Sequence, residues 1–162
     1  MKKIAALILA LLLCTAILAG CGDSGNTSSG GSSAGSADSQ GGEKKKIGIV
    51  QISDHASLNT IRDATIEQLG KLGYKDGETA EIEALSAQGE AANVTTILNN
   101  FVSGGKDIVI AITTPVASAA LNIANEVPVV FSAVSDPVAT KLTTSLEKPD
   151  KNVTGTSDAV PV

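Results

Sequence analysis

Lys46-Ile47-Gly48-Ile49-Val50-Gln51-Ile52, followed by Ser53-Asp54-His55-Ala56-Ser57, is the stretch that decides the fold. The first seven residues form a largely β-branched run of strand length, suited to burial on both faces of a parallel sheet. The next five are a polar loop. Leu58, Ile61, Thr65, Leu69 and Leu72 then recur at helical spacing up to Gly73, which suits a helix C-terminus. Strand, loop and helix in that order open a βαβ unit.

Downstream the pattern repeats. Lys75-Asp76-Gly77-Glu78 reads as a turn, and residues 79–85 alternate as a second strand. Val94, Ile97, Leu98, Phe101 and Val102 trace one apolar helix face that Gly104-Gly105 closes. Residues 107–112 are the third strand. Thr113-Thr114-Pro115 opens a helix through Val116, Ala119, Ala120, Ile123 and Ala124. Residues 127–134 form the fourth strand, Ser135-Asp136-Pro137 begins another short helical segment, and a fifth strand falls around residues 152–156. Alternating strands and helices with short connections imply a parallel sheet covered on both faces, an α/β three-layer sandwich of Rossmann-like or flavodoxin-like kind.

Upstream of Lys44 the chain changes character. Met1-Lys2-Lys3 is a basic start, and residues 4–18 are apolar except for Cys14 and Thr15. That run is shorter than the roughly 20 residues of a membrane span and ends in small residues, so it reads as an export signal. Leu18-Ala19-Gly20-Cys21 resembles a bacterial lipobox, which implies cleavage before Cys21 and a lipid, palmitate among its acyl chains, on that residue. An uncleaved anchor helix is the alternative. Residues 22–42 are almost wholly Gly, Ser, Ala, Asn, Thr, Asp and Gln, a composition that cannot offset its own ordering entropy. As a flexible coil of roughly 21 residues it spans about 25 Å, enough to hold a domain clear of lipid headgroups. The organisation expected is a leader over residues 1–20, a lipidated cysteine and linker over 21–43, and a folded lobe over 44–162.

The whole chain has 162 residues, a net charge of −5 and 2% aromatic residues. This balance excludes a nucleic-acid surface, which needs clustered Lys and Arg. Two cysteines and one histidine leave too few ligands for a Cys/His zinc site, and no cofactor is expected. Gly20-Cys21-Gly22-Asp23-Ser24-Gly25 spells a dinucleotide fingerprint and Gly31-Ser32-Ser33-Ala34-Gly35 a nucleophile elbow. Neither has the flanking strand and helix that its chemistry needs. No catalytic constellation is found, so an enzyme is not expected.

In open parallel sheets ligands bind beyond the carboxyl ends of the strands. The loops expected there are residues 53–57, 113–115 and 132–137. Thr114-Pro115 and Asp136-Pro137 each place a capping side chain before a proline at a helix start. The neutral Thr114 cap would tolerate a carboxylate at the positive end of the helix dipole, whereas the anionic Asp136 would sooner meet an ammonium group. Such a pair suits a zwitterion such as an amino acid, although plain capping also explains both residues. Asp54 and His55 could equally be a solvated loop, and Ser157 and Asp158 have less local support.

Four blocks appear in order: Ile47-Gly48-Ile49-Val50-Gln51-Ile52-Ser53-Asp54-His55, Ala111-Ile112-Thr113-Thr114-Pro115, Val129-Val130-Phe131-Ser132-Ala133-Val134-Ser135-Asp136-Pro137 and Asn152-Val153-Thr154-Gly155-Thr156-Ser157-Asp158. Together they resemble the ABC-transporter substrate-binding lipoproteins of the tryptophan/tyrosine type, from about Lys46 onward. The resemblance implies a periplasmic-binding-protein type 1 fold, in which two Rossmann-like lobes close on a solute. It also implies delivery of that solute, an aromatic or related amino acid, to an ABC permease and its ATPase. By position the cleft-lining residues are Asp54, His55, Thr113, Thr114, Ser132, Asp136, Ser157 and Asp158. Ala56 stands where many relatives have proline. Members of the family continue through a second lobe of comparable size, so the expectation is an N-terminal lobe only. A lipid-anchored sensory or interaction module built on the same lobe is the second reading.

Overall fold

The computed structural model describes residues 43–149 and 151–158. The expected leader, Cys21 and residues 22–42 of the expected linker lie outside them. Strands and helices alternate as far as the fourth strand, and a fifth strand follows without an intervening helix. They are β1 (Lys45–Gln51), α1 (Ala56–Lys71), β2 (Ala80–Ser86), α2 (Ala91–Ser103), β3 (Ile108–Ile112), α3 (Thr114–Ala120), β4 (Val129–Val134) and β5 (Val153–Ser157). A short 3-10 turn, Leu121–Ile123, follows α3. Every strand pair is parallel, and the sheet order is β2-β1-β3-β4-β5. The expected α/β parallel sandwich is therefore the fold.

Because successive strand side chains point to opposite faces, the strands feed two separate cores. Val50, Val109, Ala111, Val129, Phe131 and Val153 face α2 and α3. Ile47, Ile49, Ile110 and Ile112 face α1, which lays Leu58, Ile61, Ile66 and Leu69 over them. The two covers differ in strength. Val94, Leu98 and Phe101 of α2 are fully buried, each giving about 1.5–3 kcal/mol, whereas α1 has no fully buried residue.

Close approach explains one glycine in β1. A Cβ at Gly48 would stand 2.6 Å from the Phe101 ring, so the bare backbone is what lets α2 seat its largest side chain on the strand. Both long helices end as expected. Gly73 and Gly105 take φ of +98° and +66°, and the amides of Tyr74 and Lys106 donate back to the carbonyls of Leu69 and Phe101 at 2.9 and 3.0 Å. This is the left-handed helix stop that favours glycine.

Two expectations fail. Leu72, placed on the buried stripe of the first helix, is 75% exposed. The helix stops at Lys71, so Leu72 is its C-cap and leaves the stripe, and Ile66 packs on the sheet-facing side. The segment begun by Ser135-Asp136-Pro137 is not a helix. It makes one hydrogen-bonded turn, Thr140 N–H to Asp136 O at 3.1 Å, and Lys141 at φ +59° then reverses the chain. That reversal drives Leu142 into the core beneath β4.

Candidate functional site

The strand order reverses direction at β1. From β1 the chain goes outward to β2, returns past β1 to β3, and then continues outward to β4 and β5. The connections after β1 and β3 therefore leave in opposite directions and open a crevice between them, the usual ligand position in such sheets. Asp54 and His55 follow β1, and Thr113 and Thr114 follow β3. Ser132 is in β4, paired with Ile112, Asp136 lies in the turn beyond β4, and Ser157 and Asp158 close β5. All eight residues sit along one edge of the sheet. Three strand spacings separate its ends, roughly 14 Å, so a small solute cannot touch all of them. The reversal point singles out the first four, with Ser132 beside them.

Thr113 is the most unusual residue on this edge. Its φ of +88° and ψ of 154° lie in a region that side chains avoid, at a cost of about 1–3 kcal/mol. Its amide donates to Ser132 O at 2.9 Å, but its buried Oγ1 has no hydrogen-bond partner among the described residues. The residue is thus held under strain with an uncommitted hydroxyl at the crevice.

This geometry corrects the capping argument. Thr113, not Thr114, is the N-cap of α3, and it makes no side-chain cap bond. An N-cap side chain reaches the first-turn amides from extended backbone, and the positive φ of Thr113 carries it away from them. Thr114 is the first helical residue and Pro115 the second. Asp136 does cap, with Oδ1 accepting from Val138 N at 3.1 Å and Ala139 N at 2.9 Å, but it caps a single turn. One of its oxygens is thereby engaged with its own backbone. Ser157 Oγ donates to Ser135 O at 3.0 Å and Asp158 N to Val134 O at 3.1 Å; both tie β5 to the end of β4.

Opposite Thr113 stands a polar network that the motif reading missed. Gln51, the last residue of β1, is 1% exposed. Its Nε2 faces Ser53 O at 3.0 Å, Asp54 Oδ1 at 3.2 Å and Asn59 Oδ1 at 2.7 Å. Three acceptors around one amide nitrogen fix its orientation, and Oε1 is buried without a donor among the described residues. Gln88, from the β2–α2 loop, donates to Asp54 Oδ2 at 2.7 Å. A lone amide in an apolar strand run, and a Gln-Gly pair after a strand, were the available signals.

His55 is the N-cap of α1, its Nδ1 standing 2.8 Å from Ser57 Oγ. Of the eight residues only Ser157 lines the hollow of about 200 Å³ between β5 and the segment after β4, which Phe131, Pro137 and Leu146 also wall. That volume is below the usual range for solute pockets, and the hollow lacks the buried unpartnered oxygens that mark the reversal point. The crevice between β1 and β3 is the stronger candidate.

Comparison with known proteins agrees with the fold. The profile described as ABC transporter substrate binding protein matches residues 46–162. A tyrosine-binding protein of Clostridioides difficile (strain R20291) is 40% identical over 159 residues, 97% of this chain and 45% of that protein. The ligand-free, open structure of a substrate-binding protein with adhesive properties from Clostridium difficile superposes with a TM-score of 0.70 at 45% identity, covering 73% of this chain and 40% of that one. An ABC domain in complex with L-Trp from Streptococcus pneumoniae gives 0.68 at 34% identity, covering 72% and 39%. The chain spans less than half the length of each of these relatives.

Proposed function

The chain belongs to the ABC transporter substrate-binding protein family, and on that footing we propose that it is the solute-binding component of an ABC importer for an aromatic amino acid. In this reading the folded region is one lobe of a two-lobed binder. The crevice between β1 and β3 supplies one wall of the site, and a second lobe closes over the solute. The solute passes to a membrane permease coupled to an ATPase, and the protein binds without turnover.

The observation that carries the reading is the pair of buried oxygens without partners among the described residues, Gln51 Oε1 and Thr113 Oγ1, at the ends of neighbouring strands. Buried polar groups are normally paired, and strain at a residue such as Thr113 persists where function requires it. Asp54, in hydrogen-bond contact with Gln51, offers a half-exposed carboxylate that suits the ammonium group of an amino acid, while the Thr113 hydroxyl can donate to a carboxylate. The likeness to a tyrosine-binding protein and to a domain holding L-Trp supports the aromatic class.

The protein is extracytoplasmic and bacterial in this reading, anchored at the cell membrane by a lipid on Cys21 after removal of residues 1–20. No helix among the described residues is long and apolar enough to cross a membrane. Palmitate labelling of cells expressing the protein tests the anchor. Label on the native chain and none on Cys21→Ser is expected, and equal labelling of both would overturn it.

Calorimetry with L-tryptophan tests the one-lobe reading. Residues 44–162 by themselves form one wall of the site in this reading and are expected to show no micromolar affinity, because burial of most of a bound solute takes two walls. Micromolar binding by these residues alone would overturn the two-lobed account.

A further inference from the structure

We propose that Gln88 and Gln51 form an amide clamp that sets the direction of the Asp54 carboxylate, making Gln88 a positioning residue for solute binding. This rests on the aromatic amino-acid reading above and adds the residue that orients the carboxylate receiving the ammonium.

The two carboxylate oxygens are met from different sides. Gln88 Nε2 donates to Oδ2 at 2.7 Å from a loop 34 residues away in sequence, and Gln51 Nε2, whose two N–H groups are shared among three acceptors, reaches Oδ1 at 3.2 Å as the longest of them. Gln51 is buried and locked by Ser53 O and Asn59 Oδ1 as well, so it provides a fixed reference on β1. Gln88 is exposed, with a φ of +56° next to Gly89 at +84°. A non-glycine residue in this region is uncommon, and glycine would be the relaxed choice. The side chain retained there spans from the β2–α2 loop to the β1–α1 loop and ends on Asp54.

The nearest cation does not neutralise Asp54 at contact distance. Arg62 Nη1 lies 4.0 Å from Asp54 Oδ1, while the Arg62 guanidinium meets Asp63 Oδ1 through Nη2 and Nε, both at 2.8 Å. The clamp donors are neutral amides, so they orient the carboxylate without adding positive charge, and the long Arg62 pair is its ionic partner among the described residues. A carboxylate oxygen accepts more than one hydrogen bond, so the clamped group still has acceptor capacity toward the crevice.

The test separates strain from function. A 15N-labelled 162-residue chain is titrated with L-tryptophan and with indole-3-propionate, which lacks the ammonium group, and amide shifts report weak binding. Gln88→Gly relieves the backbone and removes the clamp. Gln88→Asn keeps an amide tolerated at positive φ, but one methylene too short to reach Asp54. Both variants are expected to keep the native melting temperature or exceed it, to lose tryptophan affinity by roughly tenfold or more, the scale of one hydrogen bond to a charged group, and to bind indole-3-propionate as the native chain does. Equal tryptophan affinity in native and variants would overturn the clamp while leaving the solute reading intact. Equal loss for both probes would overturn the ammonium assignment. A native chain that responds to neither probe would overturn the solute reading and the clamp with it.

Discussion

The Thr113 amide donates to the Ser132 carbonyl at 2.9 Å, extending the β3–β4 ladder one residue past β3. The acceptor strand is itself irregular, since its register shifts between Phe131 and Val134 and Ala133 takes φ +55°. Two neighbouring strands thus end in distorted backbone at the same place. The bond holds Thr113 at φ +88°, where its hydroxyl is buried and has no partner among the described residues.

Thr113 should therefore trade stability for function. Thr113→Gly is expected to raise unfolding free energy by about 0–2.5 kcal/mol, because it releases strain of about 1–3 kcal/mol against about 0.5–1 kcal/mol for the added entropy of glycine. Thr113→Val keeps the shape and removes the unpaired hydroxyl, so its stability should stay within about 1 kcal/mol of the native value. Both should weaken solute binding. Urea unfolding checks the first statement, and a drop in stability for Thr113→Gly would contradict it.

Gly48 and Phe101 should be energetically coupled. With the ring 2.6 Å from a Cβ at Gly48, Gly48→Ala is expected to cost about 1–3 kcal/mol through overpacking. Phe101→Leu alone leaves a cavity and also destabilises. In the double variant the smaller side chain makes room, so the combined loss should fall short of the sum by at least about 0.5 kcal/mol. Strict additivity in denaturant melts would exclude the steric account.

At the opposite end of the sheet Lys106 has a nearly buried side chain, with Nζ 2.7 Å from Glu83 Oε2 and 5.7 Å from the Phe101 ring centroid. Glu83→Gln leaves this ammonium without its counter-charge and should destabilise the lobe by about 1 kcal/mol, less than for a fully buried pair because Glu83 is half exposed. Lys106→Met keeps the packing and removes the charge, so it should remain within about 1 kcal/mol of the native chain. A larger loss for Lys106→Met than for Glu83→Gln in thermal melts would show that the charge pair itself stabilises the lobe.

What could be read directly from the residues was set by periodicity. The β-branched runs at β1 and β3 and the stripe Val94, Ile97, Leu98 and Phe101 specify buried faces, and the structure buries them. The first helix was harder to place because its apolar pattern is weak: Leu72 continues the spacing but falls at the cap, whereas Ile66 packs against the sheet. Proline after Thr114 and after Asp136 suggested equivalent helix starts. Only tertiary context distinguishes them, since Leu142 must turn into the core and so ends the second segment after one turn.

The edge of the sheet proposed for the site followed from the carboxyl ends of the expected parallel strands, but its chemistry did not. A threonine at φ +88° and a glutamine at φ +56° occupy backbone that propensity assigns to glycine, so local rules cannot anticipate them. Gln51 looked like a minor interruption in an apolar strand, and its part in fixing Asp54 depends on Asn59 and Gln88 arriving from two other elements.

The central claim is that the crevice between β1 and β3 is the wall against which an aromatic amino acid binds. Its most direct test is the amide-shift map of the 15N-labelled chain titrated with L-tryptophan up to its solubility limit, with glucose as control. The account predicts fast-exchange shifts gathered at Asp54, His55, Thr113, Thr114 and Ser132, and none with glucose. Shifts centred on Thr143, Ser145 and Leu146 instead, or none at the β1 and β3 ends, would contradict it.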